Sequence, residues 1–362
     1  MKHATRFFEL IKISLGKQTQ FLSAPTEEEW QELFLCTQKQ MLIGVLFAGV
    51  QRLPVEQRPP SDLLLNWYGL TEVIKKQNLV FYKQTVEASN YFTKQGFDNC
   101  ILKGLGVAAL YPEPLTRISG DIDIWLDGGR ERVFTFAAQK GKLQGVNSHH
   151  VLYPLFDHTE VELHVLPNRL NNPFLNRKLQ RYFREVAPIQ YSHRIELPDG
   201  MGNIPVPTTV FNGFYVLLHI YHHLFGEGVG LRQMMDYYYV LQQPMSEDER
   251  EKLLLLFNTF GMRRFAGATM YVMREVFELE ERFLLLEPNE REGRFLLDEI
   301  LQAGNLGQYD DRSGERSSSA MKRFFNSMKR NARFLCRYPS EVLWNIPYRI
   351  YLYVWRKWKG YI

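Results

Sequence analysis

Asp121 and Asp123 stand two apart in RISGDIDIWLD, residues 117–127, and a third acid, Glu162, lies in the strand-like run TEVELHV, residues 159–165. Alternate residues on a strand face the same way, about 6.6–6.8 Å apart along the chain, so two such carboxylates can converge on one cation. A neighbouring strand can bring a third alongside. Three carboxylates on one sheet face repel strongly unless cations lie between them, and a pair of Mg²⁺ ions about 3.5–4 Å apart is the usual remedy in phosphoryl and nucleotidyl transfer. Alone, Asp-Ile-Asp is also what a solvated strand looks like when Ile122, Ile124 and Leu126 turn to the core. Lys103-Gly104 upstream and Glu162 downstream tip the reading toward metal ligation by Asp121, Asp123 and Glu162.

Those residues need a frame to hold them. Residues 27–53 carry apolar residues at helical spacing, with Thr26 as N-cap and Glu27–Glu29 favouring the first turn. Pro59 and Pro60 interrupt, and a long amphipathic pattern follows from about Ser61 to Gln95, ending at Gly96. The period then changes. NCILKG is a short strand, LGVAALY a brief helix stopped by Pro112 and Pro114, GDIDIWLD a strand, and GGRERVFTFAAQKG a helix. VNSHHVLYPLF and TEVELHVLP read as two more strands, turning at Asp157 and His158. After Pro167 helices return at about 171–186, 208–225, 230–243, 247–259, 262–278 and 292–303. Residues 188–207 read as a hairpin turning at Pro-Asp-Gly.

The expected fold class is therefore α+β: a small mixed β-sheet core with N-terminal and C-terminal helical regions. The expected division is 1–97 helical, 98–207 α/β core, 208–303 helical, 304–319 a polar Gly/Ser-rich linker, and 320–362 a basic aromatic helical tail.

GLGVAA, residues 104–109, formally matches the glycine turn of dinucleotide-binding folds. Pro112 and Pro114 cut the following helix to roughly two turns, and no train of β–α units follows, which argues against that fold. The order of ILKGLGVAALYPEPLTRISGDIDIWL and then VELHV instead resembles the nucleotidyltransferase superfamily with its polymerase-beta-like fold, and within it an uncharacterised bacterial branch. The resemblance spans about residues 98–240. It implies that Asp121 and Asp123 hold two Mg²⁺ ions, and that Glu162 binds the catalytic ion and helps deprotonate an acceptor hydroxyl. It also implies that Gly104 and Gly120 belong to the nucleotide site. Leu105 departs from the pattern, where a hydroxyl often touches phosphate, and Lys103 and Arg117 are candidates to supply that contact as cations. Glu in place of Asp as third acid is a smaller departure.

HHLFGEGVGLRQMMDYYYVL, residues 222–241, resembles the helical follow-on of the same branch. That places His222 or His223 and Arg232 near the nucleotide or acceptor; equally, Arg232 and Asp236 share a helix face at ion-pair spacing. His164 reads as a packed histidine. His219, His222 and His223 have i, i+3, i+4 spacing but no H-E-x-x-H pattern, so they read as surface or core positions rather than zinc ligands. His149 and His150 read as polar loop or strand residues.

Composition bounds the rest. With 362 residues, 45% hydrophobic and 23% charged, the chain is an ordinary globular one. Its three cysteines are far apart with no paired spacing, which argues against a disulfide framework or a zinc site and fits a reducing cytoplasm. The apolar run near the start is broken by Glu9 and Lys12, unlike a secretory leader, and no run approaches the ~18–20 apolar residues of a spanning helix. Residues 317–362 carry ten Lys or Arg against Glu341 alone, so the tail is +9 and the remainder −5. Its cations alternate with aromatics. That pattern leaves three readings open: packing on the body, an anionic membrane surface that would make the protein peripheral, or contact with nucleic acid.

The expected activity is transfer of a nucleoside monophosphate from an NTP such as ATP to the hydroxyl of an unidentified acceptor. A non-catalytic binding or regulatory protein of the same fold, or a membrane-surface accessory protein, are the alternatives.

Overall fold

The computed structural model describes residues 4–197, 200–310, 312 and 320–361. The architecture is α+β and mostly helical, with one small mixed sheet between helical regions of the chain. Two units share the chain. Met1–Val80, Leu110–Ile118 and Glu227–Asp310 form the first, and Phe81–Ala109, Ser119–Gly226 and Asp311–Ile362 the second. Among the described residues no helix is long and apolar enough to cross a membrane.

The first unit is built of α1 (Ala4–Ser14), α2 (Glu27–Lys39), α3 (Ile43–Arg52) and the N-terminal part of α4 (Ser61–Lys94). Thr26 caps α2 in a reciprocal box: Glu29 N donates to Thr26 Oγ1 at 3.2 Å and Thr26 N to Glu29 Oε2 at 2.9 Å. The single pattern over 27–53 is two helices, because Met41 adopts φ 57° between them. The break lets two glycines meet backbone closely. A Cβ on Gly44 would lie 2.3 Å from Thr116 O, and one on Gly49 2.2 Å from Ser14 Oγ. Apolar spacing continues across the break, so periodicity could not reveal it. Trp30 and Trp67 meet edge to face at 6.3 Å in the core.

In the second unit β1 (Asn99–Leu102), β2 (Ile122–Leu126), β3 (His150–Leu152) and β4 (Val161–His164) form a sheet in the order β1-β2-β4-β3. β1 runs antiparallel to β2, β2 parallel to β4, and β3 antiparallel to β4. The two short helices fall where glycine signals place them: α5 (Gly104–Ala108) after β1 and α6 (Gly129–Ala138) after β2. β3 is much shorter than the apolar run around it; Pro154, which has no N–H to give the ladder, follows closely. α7 (Pro173–Ser192) runs through Pro188 to Ser192 instead of ending near 186.

α8 (Thr209–Gly226) is buried along most of its length, and Phe211 stacks on Trp125 of β2 at 5.9 Å. β5 (Arg194–Glu196) and β6 (Asn203–Pro205) pair antiparallel as the expected hairpin, while Pro198 and Asp199 of its turn lie outside the described residues. Most of the expected linker, from 313 to 319, also lies outside them. The first unit continues through α9 (Leu231–Leu241), α10 (Glu247–Thr259), α11 (Arg263–Phe277) and α12 (Glu290–Ala303).

The basic tail forms α13 (Ala320–Ala332) and α14 (Pro339–Trp358), and one face of it belongs to the second unit's core. Phe334 meets Phe225 at 5.7 Å and Tyr338 meets Tyr221 at 5.6 Å. Buried Glu341 accepts the N–H of Asn171 at 2.7 Å.

Candidate active site

Parallel pairing of β2 and β4 sets Asp123 opposite Glu162, and Asp121 immediately precedes β2. Like charges directly opposite on paired strands destabilise a sheet unless something offsets them. Here the offset is built in. Lys103 follows β1 and places Nζ 2.9 Å from Asp123 Oδ2, while His164 Nε2 stands 2.7 Å from Asp123 Oδ1 and 3.1 Å from Glu162 Oε2. Lys103 reaches that position with φ 51° and ψ −134°, a conformation a side-chain-bearing residue rarely holds and that costs of order 1–3 kcal/mol. Gly104 follows at φ 39°, and a Cβ there would lie 3.7 Å from Asp121 O.

The ionisations follow from these contacts. Burial opposes the charge on Lys103, yet Asp123, Tyr215, Asp121 and Glu162 outweigh it and raise its pKa. Burial likewise opposes ionisation of Asp123 and Glu162, but Lys103 and His164 hold the first carboxyl down, and the adjacent rings of His150, 2.8 Å away, and His164 hold the second down. His164, although buried, is raised to about 9 by its hydrogen bonds to Asp123 and Glu162. At neutral pH it is therefore an imidazolium that donates to both acids. Asp121 is pushed up, first by the charge of Asp123 and then by burial, and it makes no ion pair among the described residues. Two cations thus face three carboxylates, and one negative charge is left over at Asp121.

Six of the nine histidines continue from this point as a connected cluster. Ring centroids are 5.2 Å apart for His150–His164, 4.6 Å for His149–His150, 6.1 Å for His149–His222, 6.3 Å for His222–His223 and 4.3 Å for His219–His223. His219 and His223 bring their Nε2 atoms to 2.9 Å. Burial and the neighbouring charges hold His149, His219 and His222 well below the ordinary histidine value, so these rings are neutral. Tyr215 of α8 is fully buried with its hydroxyl unpartnered, and Lys103, Asp123 and Asp121 are the charges that bear on it. A cavity of about 370 Å³ begins at His149 and is lined also by Arg130, Ser148, Arg169, Trp344 and Tyr348. In its wall the guanidinium of Arg169 lies 3.4 Å from the Tyr348 ring centre.

Of the residues singled out from sequence, the second unit brings together Lys103, Gly104, Asp121, Asp123 and Glu162. Gly120 sits just before Asp121 with open space around it. Arg117 and Arg232 belong to the first unit. There Arg117 is buried and donates from Nε and Nη2 to Asp236 at 2.7 and 2.8 Å, and Tyr111 adds a hydroxyl bond to the same carboxylate at 2.7 Å. The carboxylate expected to pair with Arg232 four residues earlier is thus held by Arg117, from far away in sequence. Arg232 Nη1 donates to Ile118 O at 3.3 Å.

His164 is buried as a packed histidine should be, and its position two residues after Glu162 also puts both on one strand face. His150 reaches the site through its pairing with His164 across β3 and β4, a register that sequence does not display. No signal marked Tyr215.

A small mixed sheet that presents an Asp-x-Asp pair beside a third acid on a parallel strand, with Lys-Gly at the head of a short helix, is the frame of a nucleotidyltransferase. A family profile described as uncharacterised nucleotidyltransferase matches residues 26–278, more than half of the chain, and the protein belongs to that family. That membership assigns it a general role in nucleotidyl transfer. No curated protein matches the chain.

Proposed function

We propose that the second unit is a Mg²⁺-dependent nucleotidyltransferase site that moves a nucleoside monophosphate from ATP or another NTP to an acceptor hydroxyl, in the cytoplasm. The observation that carries this reading is the in-register pairing of Asp123 with Glu162 on parallel strands, with Asp121 at the strand head. The donor set suits a hard cation: three carboxylates supply oxygen ligands, and the excess charge sits on Asp121, the acid with no ion-pair partner among the described residues. Asp121, Asp123 and Glu162 would hold the two ions, which when bound neutralise charge developing at the α-phosphate and on the leaving pyrophosphate.

The chain's own residues have separate tasks. Lys103, held against Asp123 by its unusual backbone, offers an ammonium to the triphosphate once cations relieve that carboxylate. Gly104 and Gly120 leave room for phosphate beside the strand head. Glu162 is kept ionised by His150 and His164, and it accepts the hydrogen bond of the acceptor hydroxyl and orients it for in-line attack. The cavity at His149, with Arg130 and Arg169 beside Trp344 and Tyr348, is where the acceptor would lie. Arg117 is bound to Asp236, and its role in this reading is structural.

Calorimetry with Mg²⁺ and ATP, and pyrophosphate release in their presence, test the proposal. Asp121→Asn is expected to abolish Mg²⁺-dependent ATP binding while far-UV circular dichroism stays unchanged. A wild-type chain that binds neither Mg²⁺ nor ATP is instead a non-catalytic member of the fold.

One observation favours a second role. On α14, Leu343, Ile350, Tyr351, Val354 and Trp358 form an exposed apolar and aromatic stripe at helical spacing, ending beside exposed Lys357 and Lys359. That pattern fits an anionic membrane surface. Co-sedimentation with vesicles containing phosphatidylserine, compared with neutral ones and with Trp358→Ser/Ile350→Ser, decides it. Equal recovery with both vesicle types refutes it, as does capture by RNA alone.

A further inference from the structure

The histidines beside the carboxylates point to a cation of a different kind. His149, His150 and His164 come from β3, from the residue just before it, and from the adjoining end of β4. One ring nitrogen of each lies within 4.8 Å of the others. His149 and His164 are buried and His150 half-buried. Around a tetrahedral zinc ion with Zn–N bonds of about 2.0–2.1 Å, ligand nitrogens are roughly 3.3 Å apart. The three nitrogens thus start within about 1.5 Å of ligating separation.

Histidine ligands are commonly oriented by nearby carboxylates, and carboxylates stand beside two of these rings. His150 Nδ1 stands 2.8 Å from Glu162 Oε2, and His164 Nε2 contacts both Asp123 and Glu162. The His150 contact lacks the geometry of a hydrogen bond, so this buried nitrogen has no hydrogen-bond partner. Imidazole nitrogen is a poor donor for Mg²⁺, which demands oxygen, and a good one for first-row transition ions.

We infer that His149, His150 and His164 form a second metal site, adjoining the carboxylate set at His164, that takes a transition divalent cation of the zinc or cobalt class. Asp123 and Glu162 act toward it as positioning residues, through their contacts with the His164 and His150 rings. His149 touches neither acid, so the two sites can be separated by substitution. The inference builds on the nucleotidyl-transfer reading only in taking Asp121, Asp123 and Glu162 as the Mg²⁺ set.

The test uses the full chain stripped with a chelator. Zn²⁺ binding is followed by calorimetry, and Co²⁺ binding by visible absorption, where a tetrahedral imidazole environment gives intense bands and an oxygen-bound octahedral ion gives faint ones. Zn²⁺ should bind with a stoichiometry of one, Co²⁺ should give the intense spectrum, and both should survive Asp121→Asn. His149→Gln should weaken Zn²⁺ at least 10-fold while Mg²⁺-dependent ATP binding, which also reports folding, is retained. His219→Gln should leave Zn²⁺ unchanged. A faint octahedral Co²⁺ spectrum in the wild-type chain overturns the inference without recourse to any variant. So does Zn²⁺ affinity lost in Asp121→Asn or in His219→Gln but kept in His149→Gln. Failure of ATP to bind the wild-type chain while Zn²⁺ binds as expected would count against the transferase reading alone.

Discussion

Removing the guanidinium of Arg117 should destabilise the first unit severely and reverse the sign of its pH dependence. Asp236 is buried, and its two oxygens take charge-assisted bonds of 2.7 and 2.8 Å from Arg117 and one of 2.7 Å from Tyr111. Burial alone would raise this carboxyl's pKa; the charge and hydrogen bonds of Arg117 lower it instead. Its folded value lies below its unfolded value of about 3.9, so the pair's stabilisation is complete above that pH and is lost as pH falls through the folded value. Arg117→Met leaves a buried anion with only Tyr111's bond and the charge of Arg232, and such one-sided removal costs about 3–5 kcal/mol.

Burial, the largest influence on this carboxyl, is then opposed only by the charge of Arg232 and Tyr111's bond, and the prediction is that it raises the carboxyl's pKa. The unfolded chain releases the proton more readily than the folded one, so the variant should gain stability as pH drops from 7 toward 4. Arg117→Met/Asp236→Leu should recover all but the cost of Tyr111's stranded hydroxyl, about 1–3 kcal/mol. Urea unfolding followed by circular dichroism at pH 7 and pH 5 reads both effects. A single variant that unfolds at the wild-type midpoint, or that weakens toward pH 5 like a surface substitution, would refute a structural Arg117 and return it to the candidates for phosphate contact.

Other positions give independent checks. Lys103→Gly should be more stable than Lys103→Ala by about 1–3 kcal/mol in urea, since both lose the ammonium but only alanine keeps a side chain at φ 51°. Gly49→Ala puts a Cβ 2.2 Å from Ser14 Oγ and 2.9 Å from Ser14 backbone atoms, and should cost about 1–3 kcal/mol, read as a lowered thermal midpoint. Glu341→Ala strands the buried N–H of Asn171 and should cost about 1–3 kcal/mol, with faster proteolytic release of the last helices as the local readout.

What sequence disclosed was the information that sits within a few residues. Thr26 at the head of α2 and the proline stops at 112 and 114 are local devices, and each has its expected structural consequence; the strand read around Asp121-x-Asp123 is β2. What it hid was pairing across distance. Arg117 and Asp236 are 119 residues apart, and nothing in either neighbourhood names the other. The imidazole cluster depends on the register of β3 against β4, and β3 is only three residues long, too short for its period to be read. The Gln40–Leu42 break was invisible for the opposite reason: apolar spacing runs straight through it.

The buried carboxylate of Glu341 has a practical consequence for anyone isolating the second unit. The family match ends at residue 278, whereas the second unit resumes after it with α13 and α14. A chain cut at the end of the match would lose Phe334 and Tyr338 from the aromatic surface of Tyr221 and Phe225, along with Trp344 and Tyr348 from the wall of the cavity at His149. The N–H groups of Asn171 and Asn172 would lose their acceptor at the start of α7. Such a fragment would keep every acid of the site and still present sticky aromatic surface to its neighbours. Its inactivity or precipitation would reflect the missing last helices and not a defect in the carboxylates.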